Sequence, residues 1–368
     1  MSMQEKRLFV SMELSNKNWK LTFGDGSRDR ERTIPARRED LLLREVPVAK
    51  AKLGLHEDCE VVFCYEAGRD GFWIDRMLKK NGFKNYVMDP ASIEVPRRSR
   101  TRKTDRLDGK KLLKLLLRRE LWGELDAFSV VRIPSEDQES AMRMYRERER
   151  LVVERTGHRC RMKSLSVLHG IEIGNPATVK IEELRDWDGK SLPGLLVEEL
   201  KREQKRLCML VEQIKGIEKQ QEEALAKAQT PAEQKACKLF TLKAVGKQSS
   251  WVLGHECFGW RVFPNRKHLG SFVGLTGTPF DSGETLREQG ISKAGSRRVR
   301  GTMIELAWSW VRWQPNSALT HWFVDRYVRG GTSRSKRKGI VALARKLLIA
   351  LWKYVEQGIV PEGAVLRA

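Results

Sequence analysis

No apolar run in this sequence approaches the roughly 18 residues that a membrane-spanning helix needs, so an integral membrane protein is not expected. There is no CxxC pair either. The six cysteines (Cys59, Cys64, Cys160, Cys208, Cys237 and Cys257) are scattered, which argues against a zinc ribbon or a disulfide framework and fits a reducing cytoplasm. The six histidines show no HExxH or comparable ligand spacing. Met1 to Val10 carries charges and then a short strand-like stretch, without the pattern of a signal peptide. A bound metal would therefore take carboxylate ligands, which points to magnesium or manganese. What the chain has in excess is positive charge: 70 lysines and arginines against 48 acids, a net +22 over 368 residues. Spread along the whole chain, that excess is the footprint of a polyanion binder, with nucleic acid the leading partner. Two or three domains are the natural expectation at this length.

Within that basic background one stretch stands out, Lys103-Thr104-Asp105-Arg106-Leu107-Asp108-Gly109-Lys110-Lys111. It opens an apolar helical run from Leu112 to Leu117, so Asp105 and Asp108 share one face of the first turn. Arginines and lysines crowd both sides, from Arg97 and Arg98 through Arg102 and Lys103 to Arg118 and Arg119. Acids in such a segment suit a divalent metal working on phosphate. They equally suit an N-cap and the N3 position of a capping box.

Before that stretch, Arg7–Leu14 and Trp19–Phe23 read as hairpin strands, with turns at Asn16–Asn18 and Gly24–Gly26. A helix is expected over Arg38–Leu53, and a buried strand at Glu60–Tyr65 that ends at Glu66-Ala67-Gly68. A helix over Gly71–Asn81 and a strand at Tyr86–Met88 follow. Strands first, then strands alternating with helices, indicate an α/β domain with a mixed sheet. Glu13 and Glu66 lie at strand ends and Asp105 and Asp108 at a helix start, the places where functional side chains gather in such sheets. Four acids meeting at one point need cations to offset their repulsion.

From Pro134 to about Leu168 the chain is helical and densely charged, and Gly170–Pro193 is looser. A long proline-free helix spans Leu196–Ala228. Leu200, Leu207 and Ile214 form one row in it, and Leu210, Ile217 and Ala224 form a second. Those rows suit a coiled-coil seam, and with Glu203 interrupting the second row an intramolecular helical hairpin is an equal alternative. Thr230-Pro231 marks a boundary. Leu242–Lys247 resembles half of a helix-hairpin-helix, whose amides can hold phosphate. Phe272–Pro279, Phe280–Glu284 and Gln289–Arg298 read as an exposed glycine- and hydroxyl-rich loop. A helix over Arg297–Trp313 carries Trp308, Trp310 and Trp313, expected mainly in the core. Arg329–Lys338 reads as a basic loop contacting a nucleic-acid backbone, ahead of an amphipathic helix over Ile340–Val355.

Taken together, Lys103–Asp108, the strand-ending Tyr65-Glu66-Ala67-Gly68, Gly290-Ile291-Ser292-Lys293-Ala294-Gly295 and Phe272–Leu275 ahead of Ser282-Gly283 resemble the DEDD-type insertion-sequence transposases, the bridge-RNA (seeker-RNA)-guided recombinases. The resemblance covers nearly the whole chain. It implies an α/β plus α architecture: a RuvC-like (ribonuclease-H-type) mixed-sheet catalytic domain over 1–133, a helical coiled-coil dimerisation region over 134–230 and a mostly helical transposase domain over 231–368. It also implies an acidic tetrad of Glu13, Glu66, Asp105 and Asp108 holding Mg2+ or Mn2+. Ser282 would be the nucleophile, with Ser292 and Ser296 as fallbacks, meeting the tetrad of a neighbouring subunit. Arg102, Lys103, Arg106, Lys293, Arg297, Arg298, Arg334, Lys336, Arg337 and Lys338 would contact nucleic acid. The implied partners are a guide RNA, donor and target double-stranded DNA, and further copies of the chain as a homodimer or homotetramer. The implied location is the bacterial cytoplasm, at the nucleoid. Two departures stand out. Glu13 occupies a position that is usually aspartate, keeping the charge but reaching one methylene farther. Ala244-Val245-Gly246 replaces a Pro-Gly-x-Gly-like turn. Two other readings of the residues stay open: a metal-dependent junction nuclease using water, with Ser282 incidental, and a non-catalytic nucleic-acid-binding scaffold.

Overall fold

The computed structural model describes residues 6–93, 105–282 and 285–367, with the backbone alone at 91, 105–108, 278–282 and 285–289. It forms two compact units, Met1–Ile133 and Pro134–Ala368.

The first unit is built on a mixed five-stranded sheet in the order β3-β2-β1-β4-β5. Strands β1 (Leu8–Leu14), β2 (Asn18–Gly24) and β3 (Asp29–Pro35) form an antiparallel meander, and β4 (Val61–Glu66) and β5 (Lys84–Met88) add parallel to β1. Alternation sends Leu8, Val10 and Met12 to one face, where they pack with Leu42, Val46, Ala49 and Leu53 of α1 (Glu39–Leu53) and Ile74, Met77 and Leu78 of α2 (Trp73–Lys80). Phe9, Val62, Cys64 and Met88 point the other way, against Leu112, Leu113, Leu115 and Leu116 of α3 (Asp105–Leu121). Both faces are covered, so the central strands are mostly apolar, as parallel strands between helical layers tend to be. The sequence reading missed β3. Its residues Asp-Arg-Glu-Arg-Thr-Ile-Pro look like a charged linker, yet an edge strand paired only to β2 keeps its polar side chains wet.

The second unit opens with two long helices, α4 (Glu136–Val167) and α5 (Gly194–Lys227). Ser135 caps α4 with a full capping box to Gln138. Arg148 meets Glu218 at 2.6 Å, whereas Arg161, thirteen residues later, meets Glu203 at 2.8 Å, so the helices run antiparallel. Leu200, Leu207 and Ile214 of the first row are buried, whereas of the second only Leu210 is, with Ile217 and Ala224 half-buried; Leu200 and Leu207 share a core with Met162 of α4. The seam therefore faces α4 of the same chain, the hairpin alternative. Glu203 interrupts it because it receives His158 and Arg161 from α4.

Beyond α5 lie α6 (Pro231–Phe240), α7 (Lys247–Val252) running into a π-helical turn at Leu253–Phe258, α8 (Arg266–Val273), β6 (Gly277–Ser282), β7 (Thr285–Ile291), α9 (Arg297–Trp313), α10 (Ala318–Phe323), a second π-helical turn at Val324–Val328, and α11 (Ser333–Gln357). Their core gathers Leu239, Phe258, Met303 and Trp310 around Leu343, Leu347, Leu348 and Leu351 of α11. Three expectations change here. The region read as a glycine-rich loop is an antiparallel hairpin, with β6 paired to β7, because Thr-Pro-Phe and Thr-Leu-Arg can extend and pair once the flanking glycines turn the chain. The basic segment after Arg329 is a loop only to Thr332, whose side chain caps α11, so the later cations ride on the helix. Of the three tryptophans on α9 only Trp310 is core, at 0% exposed, while Trp308 and Trp313 are each 48% exposed. Trp308, two residues before Trp310, points about 160° away round the helix, and Trp313 is the last residue of α9.

Candidate active site

Parallel pairing of β1 with β4 runs Ser11 beside Cys64 and ends with Met12 beside Tyr65, and Glu13 and Glu66 are the next residues along the two strands. Neighbouring strands are about 4.8 Å apart, close enough for two carboxylates to share one cation. Period-two alternation puts both on the α3 face, since Phe9 and Ser11 precede Glu13 there and Val62 and Cys64 precede Glu66. Glu13 is half-buried and Glu66 exposed. Lys20 of β2 stands opposite Glu13 and pairs with Glu31 of β3 at 3.5 Å.

Helix α3 runs back along β1. Its end is held at the start of that strand, where Arg7 donates to the Glu120 carbonyl at 2.8 Å and pairs with the Glu120 carboxylate at 2.7 Å. Its beginning is held farther along, where the Ser11 hydroxyl donates to the Gly109 carbonyl at 2.7 Å. Contact is close enough that a Cβ on Gly109 would sit 2.8 Å from Thr22 Oγ1. From Gly109 back to Asp105 the helix rises about 6 Å, and from Ser11 on to Glu13 the strand rises about 7 Å. The backbone of the turn carrying Asp105 and Asp108 thus lies level with Glu13, over the edge where Glu13 and Glu66 stand. The side chains of Asp105, Arg106 and Asp108 lie outside the described residues, as do Arg102 and Lys103. Among the described residues no group of three or more His, Cys, Asp or Glu side chains could hold a metal. A site here needs the α3 aspartates to complete it. The donor chemistry fits: every nominated ligand is a carboxylate, the hard oxygen set of Mg2+ or Mn2+.

The sequence reading named the acids but not the two small residues that seat them, Ser11 and Gly109. The signal was there in part: a serine one alternation before Glu13, and a glycine in the second turn of a helix otherwise rich in leucine.

In the second unit, Ser282 ends β6, with its backbone opposite Thr285; its side chain lies outside the described residues. The base of this hairpin is zipped to α8. Ser292 N–H donates to the Thr276 carbonyl at 2.9 Å and Ser296 N–H to the Phe272 carbonyl at 2.8 Å. Gly295, at φ +86°, passes so close that a Cβ there would fall 2.1 Å from the Phe272 carbonyl oxygen. This junction explains why two of the segments that carried the resemblance, Phe272–Leu275 and Gly290–Gly295, occur together. Ser296 is committed to capping α9, accepting from Val299 N–H, and Ser292 Oγ sits 3.5 Å from Thr276 Oγ1.

Of the cations nominated for nucleic acid, Lys293, Arg297, Arg334, Lys336, Arg337 and Lys338 are exposed. The last four extend from the first turn of α11, where the helix dipole disfavours cations and an anionic partner would relieve the strain. Arg298 is different. It donates to Glu149 at 2.8 Å and reaches Glu256 at 3.4 Å, joining a buried cluster that sequence reading missed. Glu256 lies in the first π-helical turn, where the Tyr145 hydroxyl and, at 2.7 Å, Arg146 donate to it. Burial pushes the Glu256 carboxyl up, but those hydrogen bonds and the charges of Arg146 and Arg298 outweigh it and hold it below the usual carboxylate range. Burial and the neighbouring carboxylate push the Tyr145 hydroxyl up. Arg298 thus ties the start of α9 to α4.

Comparison with known proteins agrees with this picture in kind. A family model described as "Transposase IS116/IS110/IS902 family" matches residues 236–321. A putative transposase, y4rJ, of Sinorhizobium fredii (strain NBRC 101917 / NGR234) is 39% identical over 380 residues, covering 98% of this chain and 94% of the relative. Another from the same strain, y4qE, is 28% identical over 79% of this chain and 74% of its own length. The transposase for insertion sequence element IS1328 of Yersinia enterocolitica is 25% identical over 61% of this chain and 66% of that protein.

Proposed function

Since the chain belongs to the IS116/IS110/IS902 family of transposases, enzymes that cut and rejoin DNA, we propose that it moves an insertion sequence by metal-assisted serine chemistry directed by a guide RNA. The observation that carries this reading is the parallel register of β1 and β4, whose last pair, Met12 beside Tyr65, directly precedes Glu13 and Glu66, near the start of α3. A mixed sheet with its acids at that edge supports the ribonuclease-H-type reading of residues 1–133. Glu13, Glu66, Asp105 and Asp108 would hold Mg2+ or Mn2+. When bound, the metal offsets charge on the phosphate oxygens and on the leaving oxygen.

In this reading the Ser282 oxygen bonds to the scissile phosphorus as the phosphorus–oxygen bond to the leaving strand breaks. The serine gives up its proton and the departing strand's oxygen gains one. The phosphoserine link preserves the phosphodiester's energy until a strand hydroxyl attacks it, forms the new DNA linkage and frees Ser282. Joining is the point of the enzyme, and a covalent intermediate provides for it without an external energy source. Ser282 acts on the acidic edge of a neighbouring protomer, so the working unit is at least a dimer. Base pairing with the guide RNA selects donor and target DNA, while the protein reads backbone and shape. A net charge of +22 spread along the chain supports that division of labour.

The test is strand joining by the purified full-length protein on duplex DNA carrying the element's ends, with Mg2+ and the RNA that copurifies. Ser282→Ala should abolish both joining and a protease-sensitive DNA adduct, and Glu66→Gln should lower all cutting. If Ser282→Ala still cuts at the normal rate, the water-using nuclease reading replaces this one. Copurifying RNA of random sequence, with joining independent of it, would overturn the guide.

A further inference from the structure

Trp308 is a large aromatic residue that the fold leaves half bare, 48% exposed on a helix whose Trp310 is fully buried. Covering it within the chain would contribute roughly 2 kcal/mol, and the described residues do not do so. It is also not isolated. Its edge meets Phe323 at 6.5 Å and 83°, Phe323 stacks on Tyr327 at 6.3 Å and 29°, and Tyr327 meets Trp322 at 5.5 Å and 71°. Phe323, 2% exposed, anchors this row in the core, and Trp308, Tyr327 and Trp322 reach the surface from it. Tyr327 sits in the π-helical turn Val324–Val328, a local irregularity of the kind that often marks functional sites.

Cations accompany the rings. Lys346 Nζ lies 4.5 Å from the Trp322 ring centroid and the Arg326 guanidinium 6.0 Å from that of Tyr327. Tyr327 lies against the start of α11 so closely that a Cβ on Gly339 would fall 2.4 Å from its Cγ. The ring therefore adjoins the turn from which Lys336, Arg337 and Lys338 project into solvent. Arg312 lies one turn beyond Trp308 on α9 and is exposed. Among the described residues no cation stands over the Trp308 ring itself. Of the nearby acids, Asp325 is tied to Arg329 at 2.8 Å, and Glu305, three residues before Trp308, is exposed.

A half-bare tryptophan beside partly exposed rings and a run of cations matches a nucleic-acid strand with its bases unpaired. Duplex bases hide their faces in the stack, whereas single-strand binders combine a basic track with rings on which bases stack. We propose that Trp308, Tyr327 and Trp322, with Arg326, Lys338 and Lys346, form a docking surface for an unpaired DNA strand. One base stacks on Trp308, and the phosphates follow the cations toward α11. DNA is the strand chosen because joining ends to new partners requires bases flanking the cut to leave their old ones. This inference rests on the transposase reading alone, not on Ser282, the metal or a guide RNA.

The experiment measures binding of the full-length protein, in EDTA so that no chemistry intervenes, to a short 2-aminopurine-containing single strand, its duplex, and an RNA of the same sequence. Trp308→Ala should weaken single-stranded DNA about 5- to 100-fold, the span expected for one lost stacking partner. Duplex binding should stay within about twofold, because its term is backbone charge. Trp308→Phe, which keeps a ring, should retain most of the affinity and confirms that the site folds. Equal loss on single strand and duplex, no loss on either, or a loss confined to RNA would each overturn the proposal. Because joining is not measured, a failure here is separable from a failure of the serine mechanism.

Discussion

Gly109→Ala tests the geometry of the acidic edge directly. The new methyl would stand 2.8 Å from Thr22 Oγ1, inside the 3.4 Å at which ordinary contacts begin. Thr22 belongs to a central strand buried between two helical layers and does not yield easily, so the first turn of α3 must retreat by about half an ångström. Overpacking of this sort costs about 1–3 kcal/mol, but alanine returns about 1 kcal/mol of helix propensity over glycine. Net stability should therefore change by no more than about 2 kcal/mol. Activity is the sensitive readout: a misplacement of about 1 Å costs on the order of a hundredfold, so half of that predicts roughly a tenfold loss in strand joining. Thr22→Ala on the same chain removes the clashing oxygen and should restore most of the rate. The assays are thermal unfolding and strand joining on the three variants side by side. Full activity in Gly109→Ala, or no recovery in the double variant, would refute the placement of Asp105 and Asp108 over Glu13 and Glu66.

Glu256→Gln removes the charge that Tyr145, Arg146 and Arg298 surround, and should destabilise the second unit by about 3 kcal/mol, discounted for the partial exposure of both arginines. The folded-state carboxyl lies below its ordinary value. Its contribution is therefore fully present above about pH 4.5 and is lost as pH falls through the depressed value. Denaturant titrations between about pH 3 and 6 should show wild type losing stability on the acid side more steeply than Glu256→Gln; parallel curves would contradict the assignment. Gly295→Ala forces a side chain into both a left-handed backbone and the Phe272 carbonyl. It should lower the melting temperature and strand joining together, whereas a wild-type melt with wild-type joining would show that the hairpin base is not rigid. Glu13→Asp shortens the reach by one methylene and keeps the carboxylate. Joining at or above the wild-type rate is expected if Glu13 is a metal ligand, and a hundredfold loss would show that the edge is built for the longer arm.

How legible all this was varied by element. The strands β1, β2 and β4 and the helices α3, α4 and α5 were plain because burial on one or both faces writes a periodicity of two or of 3.6 into the residues. β3 was not, because an edge strand with both sides wet carries no apolar alternation. The β6–β7 hairpin was hidden for a related reason: glycines and hydroxyl residues describe the turn chemistry of a hairpin and of a loop equally well. The tryptophans of α9 were grouped as core by composition, although Trp308 points away from Trp310 and Trp313 ends the helix. The ion pairs of Arg298 were not legible, since nothing in the sequence announces Glu149 and Glu256, which are 149 and 42 residues away.

By itself the sequence determined the chemical class of the partner, through its charge, and nominated four acids, through their positions at strand ends and a helix start. Those are local or additive properties, readable without knowing what touches what. Only the tertiary structure decided that Glu13 and Glu66 follow paired residues on adjacent strands, that a serine and a glycine hold α3 down beside them, and that Trp308 stays half bare. Each of these depends on register and close approach between segments tens of residues apart, where a shift of one residue would turn every side chain to the other face.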